Sequence, residues 1–239
     1  MSVNQFEPQG ATDTVAVFLH GFASSQAGEK AIYLREKLLA ARIAFVTFDF
    51  RGHGESEGAM SDLTVTGLIE DCSRVVEPLR GRYGRIALIG SSMGACVAAW
   101  YATLNPGIVA ENILIAPAFN FVDTLVKGIG PTGADTWRKR GFVDFVNEYC
   151  RVRLSYDLVR DWENYPVSQL TATYSTPTLI IHGTEDETVN YRDSLDFIAR
   201  AGYPDIVLTL IKGGDHRLTA HKDRLADWAE MRLRRVRRP

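Results

Sequence analysis

The five residues Gly90-Ser91-Ser92-Met93-Gly94 restrict the fold of this chain more tightly than any other part of it. They follow a short apolar run, residues 86–89 (IALI), and precede a helix of small residues predicted from Met93 to about Leu104. Passing from strand to helix in so few residues demands a sharp turn. A Cβ at either flanking glycine would collide with that turn, and the middle hydroxyl is lifted clear of the sheet. A backbone N–H at the helix start also faces any anion held above it, aided by the positive end of the helix dipole.

The rest of the chain alternates in the same way. Residues 14–20 (TVAVFLH), 43–48 (IAFVTF), 112–116 and 178–182 are apolar runs without period-2 polarity, and 207–211 continues the series. Such runs read as strands buried on both faces. Between them, residues 27–41 carry the periodicity of an amphipathic helix, and 65–83 a helix that Pro78 bends or divides. Helices follow at 194–201 and from about Ala220. Strands alternating with helices imply a mostly parallel central sheet covered on both faces, with ligands beyond the carboxyl ends of the strands. The rhythm breaks between Ala116 and Thr178, where three helices are predicted near 121–129, 136–149 and 156–165 and no clear strand is seen. We therefore expect one domain over 1–239 with a helical lid inserted at 119–170. Its aromatics (Phe121, Trp137, Phe142, Phe145, Tyr149, Tyr156 and Trp162) are expected mostly to hold the lid to the sheet, and some to line an apolar acyl pocket.

Composition narrows the class. With 46% hydrophobic and 23% charged residues the chain is an ordinary globular one, and a net charge of -2 supplies no bulk field for polyanions. Cys72, Cys96 and Cys150 cannot all pair within the chain and lack metal-ligand spacing. No secretory signal or membrane-span length of apolar residues is evident, so a cytoplasmic address is expected. No phosphate-binding lysine follows a Gly-rich segment and no dinucleotide glycine pattern follows a strand, so no cofactor or metal is expected. The tail MRLRRVRRP, with Arg232, Arg234, Arg235, Arg237 and Arg238, is expected to be a solvated, frayed helix end rather than a nucleic-acid contact.

An alcohol such as Ser92 is a weak nucleophile without a base. Ser91 is its rival, but in the wrong place within the turn. Of the histidines, His216 (in GGDHR) follows the last predicted strand, where a loop carries it over the sheet edge. His221 falls in the next helix, His20 and His182 each end a strand and should orient local backbone, and His53 in DFRGHGES has a structural role or borders the pocket. A base of this kind works with a carboxylate on its other nitrogen. Asp186, in HGTEDETV, has the best loop placement; Glu185 and Glu187 should point elsewhere, and Asp215 is too close in sequence to bend back onto His216. The second oxyanion donor is expected at the Phe22 N–H, beside Gly21, with the Met93 N–H as its partner.

HGF at His20, DFRGHGES at Asp49, GSSMG at Gly90, and HGTEDETV with GDHR near the end occur in the order that resembles the α/β-hydrolase superfamily. The resemblance implies that fold, and assigns nucleophile, acid and base to Ser92, Asp186 and His216. Asn190 stands after Val189 where relatives often have Pro, which concerns the start of a helix and leaves the trio intact. GFASSQAGEKA, the elbow, the short lid and KGGDHRL look similar to bacterial carboxylesterases related to the mitochondrial palmitoyl-protein thioesterase. The expected function is therefore cleavage of acyl esters or thioesters of small to medium size through an acyl-enzyme. A serine peptidase or amidase, perhydrolysis or carbon–carbon bond cleavage would use the same residues, and a ligand-binding protein with an unused triad is the alternative outside enzymes. Oligomeric state is left open.

Overall fold

Strands with apolar side chains on both faces need a layer of helices on each side, and the alternation along β2 (Thr14–Leu19) shows how this is met. Val15, Val17 and Leu19 enter one core, while Ala16 and Phe18 enter the other. The computed structural model describes residues 1–146 and 150–234. Around β2 lie β1 (Val3–Phe6), α1 (Glu29–Ala40), β3 (Ala44–Phe48), α2 (Val65–Val76), β4 (Arg85–Ser91), α3 (Met93–Leu104) and β5 (Val109–Ile115). The segment between β5 and the next sheet strand holds α4 (Phe121–Arg140), β6 (Phe142–Val146), β7 (Arg151–Ser155), α5 (Asp157–Trp162) and α6 (Val167–Thr173). The chain then resumes with β8 (Thr178–Gly183), α7 (Tyr191–Arg200), β9 (Ile206–Ile211) and α8 (Lys222–Leu233).

The sheet has seven strands in the order β1-β3-β2-β4-β5-β8-β9. Every pairing is parallel except that of β1 with β3. Leu34 and Leu38 of α1 pack with Leu225 and Ala229 of α8 on one face. On the other, α2, α3, α6 and α7 cover Leu88, Leu114 and Ile180. α3 is buried from Met93 to Ala102, which suits its Ala-rich sequence: small side chains let a helix lie between sheet and neighbouring helices.

Four local expectations are corrected. β1 has no signature in the sequence, because VNQF lacks an apolar pattern; it is held by backbone pairing with β3, Val3 to Phe48 through Phe6 to Phe45. The region from Ala116 to Thr178 does contain strands: β6 and β7 form an antiparallel hairpin where a helix over 136–149 was expected. Gly141, at φ 79°, ends α4 in the left-handed conformation, and the FVDFV and RVRLS alternation then takes over. The Asp144–Arg153 pair, 2.8 Å apart, faces across the hairpin. α4 itself runs through the predicted 121–129 helix and bends at Gly130 (φ 77°) before Pro131. The last three residues of the expected 136–149 helix, including Tyr149, lie outside the described residues.

The fourth correction concerns the arginine tail. Arg232 is not solvated: its side chain is 3% exposed and pairs with Glu111 at 2.5 Å and Asp205 at 3.3 Å. An arginine in the last turn of a helix reaches back to the sheet when a carboxylate waits there, and Glu111 on β5 supplies it. Arg234 pairs with Glu230 on the surface, while Arg235, Arg237 and Arg238 lie outside the described residues. Pro78 acts as expected, with α2 ending at Val76 and a 3₁₀ turn over Glu77–Leu79.

Candidate active site

Four strand ends meet at the carboxyl edge of the sheet, and the turn after β4 is the most constrained. Ser92 has φ 54° and ψ -115°, a conformation that costs a non-glycine residue on the order of 1–3 kcal/mol. The turn is held on both sides: the Ser92 N–H donates to the Ile115 carbonyl at 2.9 Å, and the Ser92 carbonyl accepts from Ala95, Cys96 and Ala118. Space fixes the glycines. A Cβ on Gly90 would lie 2.4 Å from the Ala95 Cα, and one on Gly94 2.2 Å from the Leu19 carbonyl oxygen.

The Ser92 hydroxyl lies 3.0 Å from His216 Nε2, and His216 Nδ1 lies 2.7 Å from Asp186 Oδ2. Since a carboxylate only accepts, Nδ1 carries the proton and Nε2 is the acceptor of the Ser92 proton. The Asp186 side chain is buried, and burial alone would raise its carboxyl. Hydrogen bonds from His182 and His216, with the Val189 amide, overrule that and hold it well below the usual carboxylate range. Its Oδ1 also accepts from the Thr188 and Val189 amides at 2.9 and 2.8 Å. The carboxylate therefore stays charged and fixed at neutral pH. Glu185 and Glu187 are exposed, and Asp215 accepts from Leu218 N at 2.7 Å instead of turning to His216. All three go where the sequence placed them. Asn190 caps α7, accepting from Arg192 N at 3.0 Å, so the missing proline is replaced by another helix-starting device.

His182 does more than order local backbone. Its Nε2–H is shared between Asp186 Oδ2 and the Val189 carbonyl, both at 3.1 Å, while Nδ1 accepts from Ser194 Oγ at 2.8 Å. Asp186 thus has histidines on two sides. The position of His182 at the end of β8, four residues before Asp186, was the available signal.

The loop after β2 is fastened by His20 and Asp49. His20 Nδ1 donates to the Gly21 carbonyl at 2.8 Å, and Nε2 accepts from the Phe50 N–H at 3.1 Å. Asp49, 1% exposed, takes the Gln26 N–H at 2.7 Å and the Glu55 N–H at 3.0 Å, tying this loop to the DFRGHGES turn. A Cβ on Gly21 would stand 3.4 Å from Ser92 Cβ, so the Gly21-Phe22 backbone borders the hydroxyl. The Met93 amide, at the first position of α3, has no carbonyl within its own helix to serve. His53 is buried against His20 and Phe22, with Nδ1 on the Arg51 carbonyl at 3.0 Å. His221 lies outside α8, in the 3₁₀ turn Thr219–His221 before it.

His20 has an acid consequence. Burial, assisted by nearby His53, pushes its imidazole down to about 4 against the Gly21 hydrogen bond and Asp49. Below about pH 6.5 the unfolded chain takes this proton and the folded one does not, so up to about 3 kcal/mol of stability is lost as pH falls toward about 4. Urea titrations at pH 7 and 4.5 should show this loss, and His20→Gln should flatten it. Equal slopes for both proteins would refute the assignment.

The aromatics divide as expected in part. Phe121, Trp137 and Trp162 are buried in the core cluster, and Trp162 Nε1 donates to Asp123 at 3.0 Å. Phe142 is 38% exposed beneath Arg153. Phe121 and Phe145 reach the loop after β2, with ring centroids 5.7 and 5.9 Å from that of Phe22. Among the described residues no cluster of His, Cys, Asp or Glu is arranged for a metal ion, and no helix is long and apolar enough to cross a membrane.

A strained strand-to-helix turn, a buried carboxylate loop and a histidine loop on one doubly covered sheet define a known class, and the alpha/beta hydrolase family model matches residues 16–228. The chain belongs to that family. It is 26% identical over 210 residues to the mitochondrial palmitoyl-protein thioesterase ABHD10 of Mus musculus, covering 87% of this chain and 70% of that protein. The solved structure of mouse alpha/beta hydrolase domain-containing protein 10 superimposes with a TM-score of 0.83 at 24% identity, covering 97% of this chain and 92% of that one. Est1E from Butyrivibrio proteoclasticus, solved with ferulic acid bound, gives 0.78 at 20% identity, covering 97% and 94%.

Proposed function

We propose that this chain is a serine-dependent carboxylesterase or thioesterase that works through an acyl-enzyme. The observation that carries the reading is the unbroken hydrogen-bond path from Ser92 through His216 to Asp186, at 3.0 and 2.7 Å. His216 Nε2 takes the Ser92 proton as Oγ attacks the substrate carbonyl carbon. The carbonyl oxygen becomes an anion received by the Phe22 and Met93 amides. Asp186, kept ionised by its donors, stabilises the imidazolium. The imidazolium then protonates the departing alcohol or thiol, leaving the acyl group on Ser92. In the second half His216 draws a proton from water, which attacks the acyl carbon; the imidazolium then returns the proton to Ser92 Oγ as the acyl–Oγ bond breaks and the acid leaves.

The segment 119–170 is proposed as a lid over the acyl side, where Phe22, Phe121 and Phe145 supply an apolar wall. An apolar wall favours uncharged acyl groups over charged ones. A fluorophosphonate probe should label Ser92, and matched ester and thioester series of rising acyl length should be turned over. Amides, diketones and peroxide-dependent perhydrolysis, assayed beside them, should respond weakly or not at all. A folded protein that takes no label would rule out the serine mechanism and favour a ligand-binding role.

A further inference from the structure

Lys30 belongs to GFASSQAGEKA, a segment the mechanism above leaves unused. It lies in the first turn of α1, where the helix dipole disfavours a cation. Its ammonium nevertheless turns inward, and Nζ donates to Ser91 Oγ at 2.9 Å. Ser91 is 8% exposed and is the last residue of β4, immediately before the nucleophile. Burial brings the Lys30 amine down to about 8, opposed by the carboxylates of Asp215 and Asp186 and assisted by Arg217. Two features of this placement weaken the fold, the dipole and the desolvation, and one apolar residue of equal length would avoid both. Its compensation is aimed at the site.

We propose that Lys30 is a positioning residue of the nucleophile: its ammonium pins Ser91 and so steadies the strained turn that presents Ser92. This rests on the serine-hydrolase reading. The Nζ–Oγ bond ties α1 to the last residue of β4 across 61 positions, and Ser92, the next residue, is held at φ 54°. The other charges nearby are occupied or peripheral. Glu29 of α1 faces outward to Lys222 of α8 at 2.6 Å, Asp215 caps Leu218 N, and Arg217 is an exposed residue after β9.

The test is kcat and KM on one acyl ester, with the fluorophosphonate labelling rate, for wild type, Lys30→Met, Lys30→Gln, Lys30→Arg, Ser91→Ala and the Lys30→Met, Ser91→Ala double variant. Lys30→Met should lower kcat and the labelling rate about fivefold, with KM changed less than about twofold, because Ser91 loses its donor. Lys30→Gln and Lys30→Arg retain a donor and should lose less. Ser91→Ala should lose about as much as Lys30→Met, and the double variant no more than either alone. A merely structural lysine would change melting temperature and leave kcat of the folded protein unmoved. Should Lys30→Met fail to fold, Lys30→Gln and Ser91→Ala decide the question. Single variants with wild-type kcat, or losses that add in the double variant, overturn the role. A wild-type protein that takes no fluorophosphonate label overturns the triad reading and this role with it; a labelled wild type whose variants keep kcat overturns the Lys30 role alone.

Discussion

A Ser92→Ala variant is expected to keep the fold and lose acyl-ester turnover by on the order of a hundred-thousandfold. The size follows from what the hydroxyl does: without it no acyl-enzyme forms, and only the oxyanion amides and substrate binding remain. Ser91 cannot take over, because it is buried and its Oγ is paired with Lys30. The fold should hardly notice the change. Alanine carries the same Cβ at φ 54°, and the backbone bond to Ile115 is unchanged, so stability should stay within about 1 kcal/mol. Steady-state kinetics, fluorophosphonate labelling and a thermal melt on one preparation check all three statements. Turnover within tenfold of wild type would mean that the nucleophile lies elsewhere.

The second large effect is on stability, at Gly94. A Cβ there would sit 2.2 Å from the Leu19 carbonyl oxygen and 2.5 Å from that of His20, both backbone atoms with no rotamer to yield. Either α3 or the end of β2 must move by about 1 Å, and overpacking of this kind costs about 3 kcal/mol or more. The displaced backbone leads straight into Gly21 and Phe22. A shift of about 1 Å there should lower kcat/KM by about a hundredfold in whatever fraction remains folded. Gly128→Ala is the control. It lies in α4 with nothing within 4 Å of the added Cβ, and should leave the protein unchanged or stabilised by about 0.5–1 kcal/mol. Equal melting temperatures for the two variants would show that the elbow tolerates side chains.

The elements legible in the sequence were those whose signal is local. The strands at β2, β3, β4 and β8 are apolar on both faces, and α3 follows a glycine turn, so each was readable from its own residues. Ser92, Asp186 and His216 stood out as candidates because each follows a strand in a polar loop, and the fold brings their side chains within hydrogen-bond distance. What escaped depends on partners distant in sequence. β1 has no pattern of its own and exists by pairing with β3. The β6–β7 hairpin competes with a helix over the same residues, and packing decides between them. Arg232 looked like the start of a charged tail because Glu111 is 121 residues away. Lys30 was equally hidden, since its meeting with Ser91 spans 61 residues.

The insertion leaves the sheet after β5 and returns to it at β8, and these two strands are immediate neighbours, Asn112 beside Thr178. Ser92, Asp186 and His216 all stand on elements outside it. In the proposed reading, bond-breaking and substrate choice are therefore written in separate stretches of the gene. One contiguous segment can be recombined for another without disturbing the reacting atoms, so a lineage of such enzymes can inherit its chemistry intact while trading its diet.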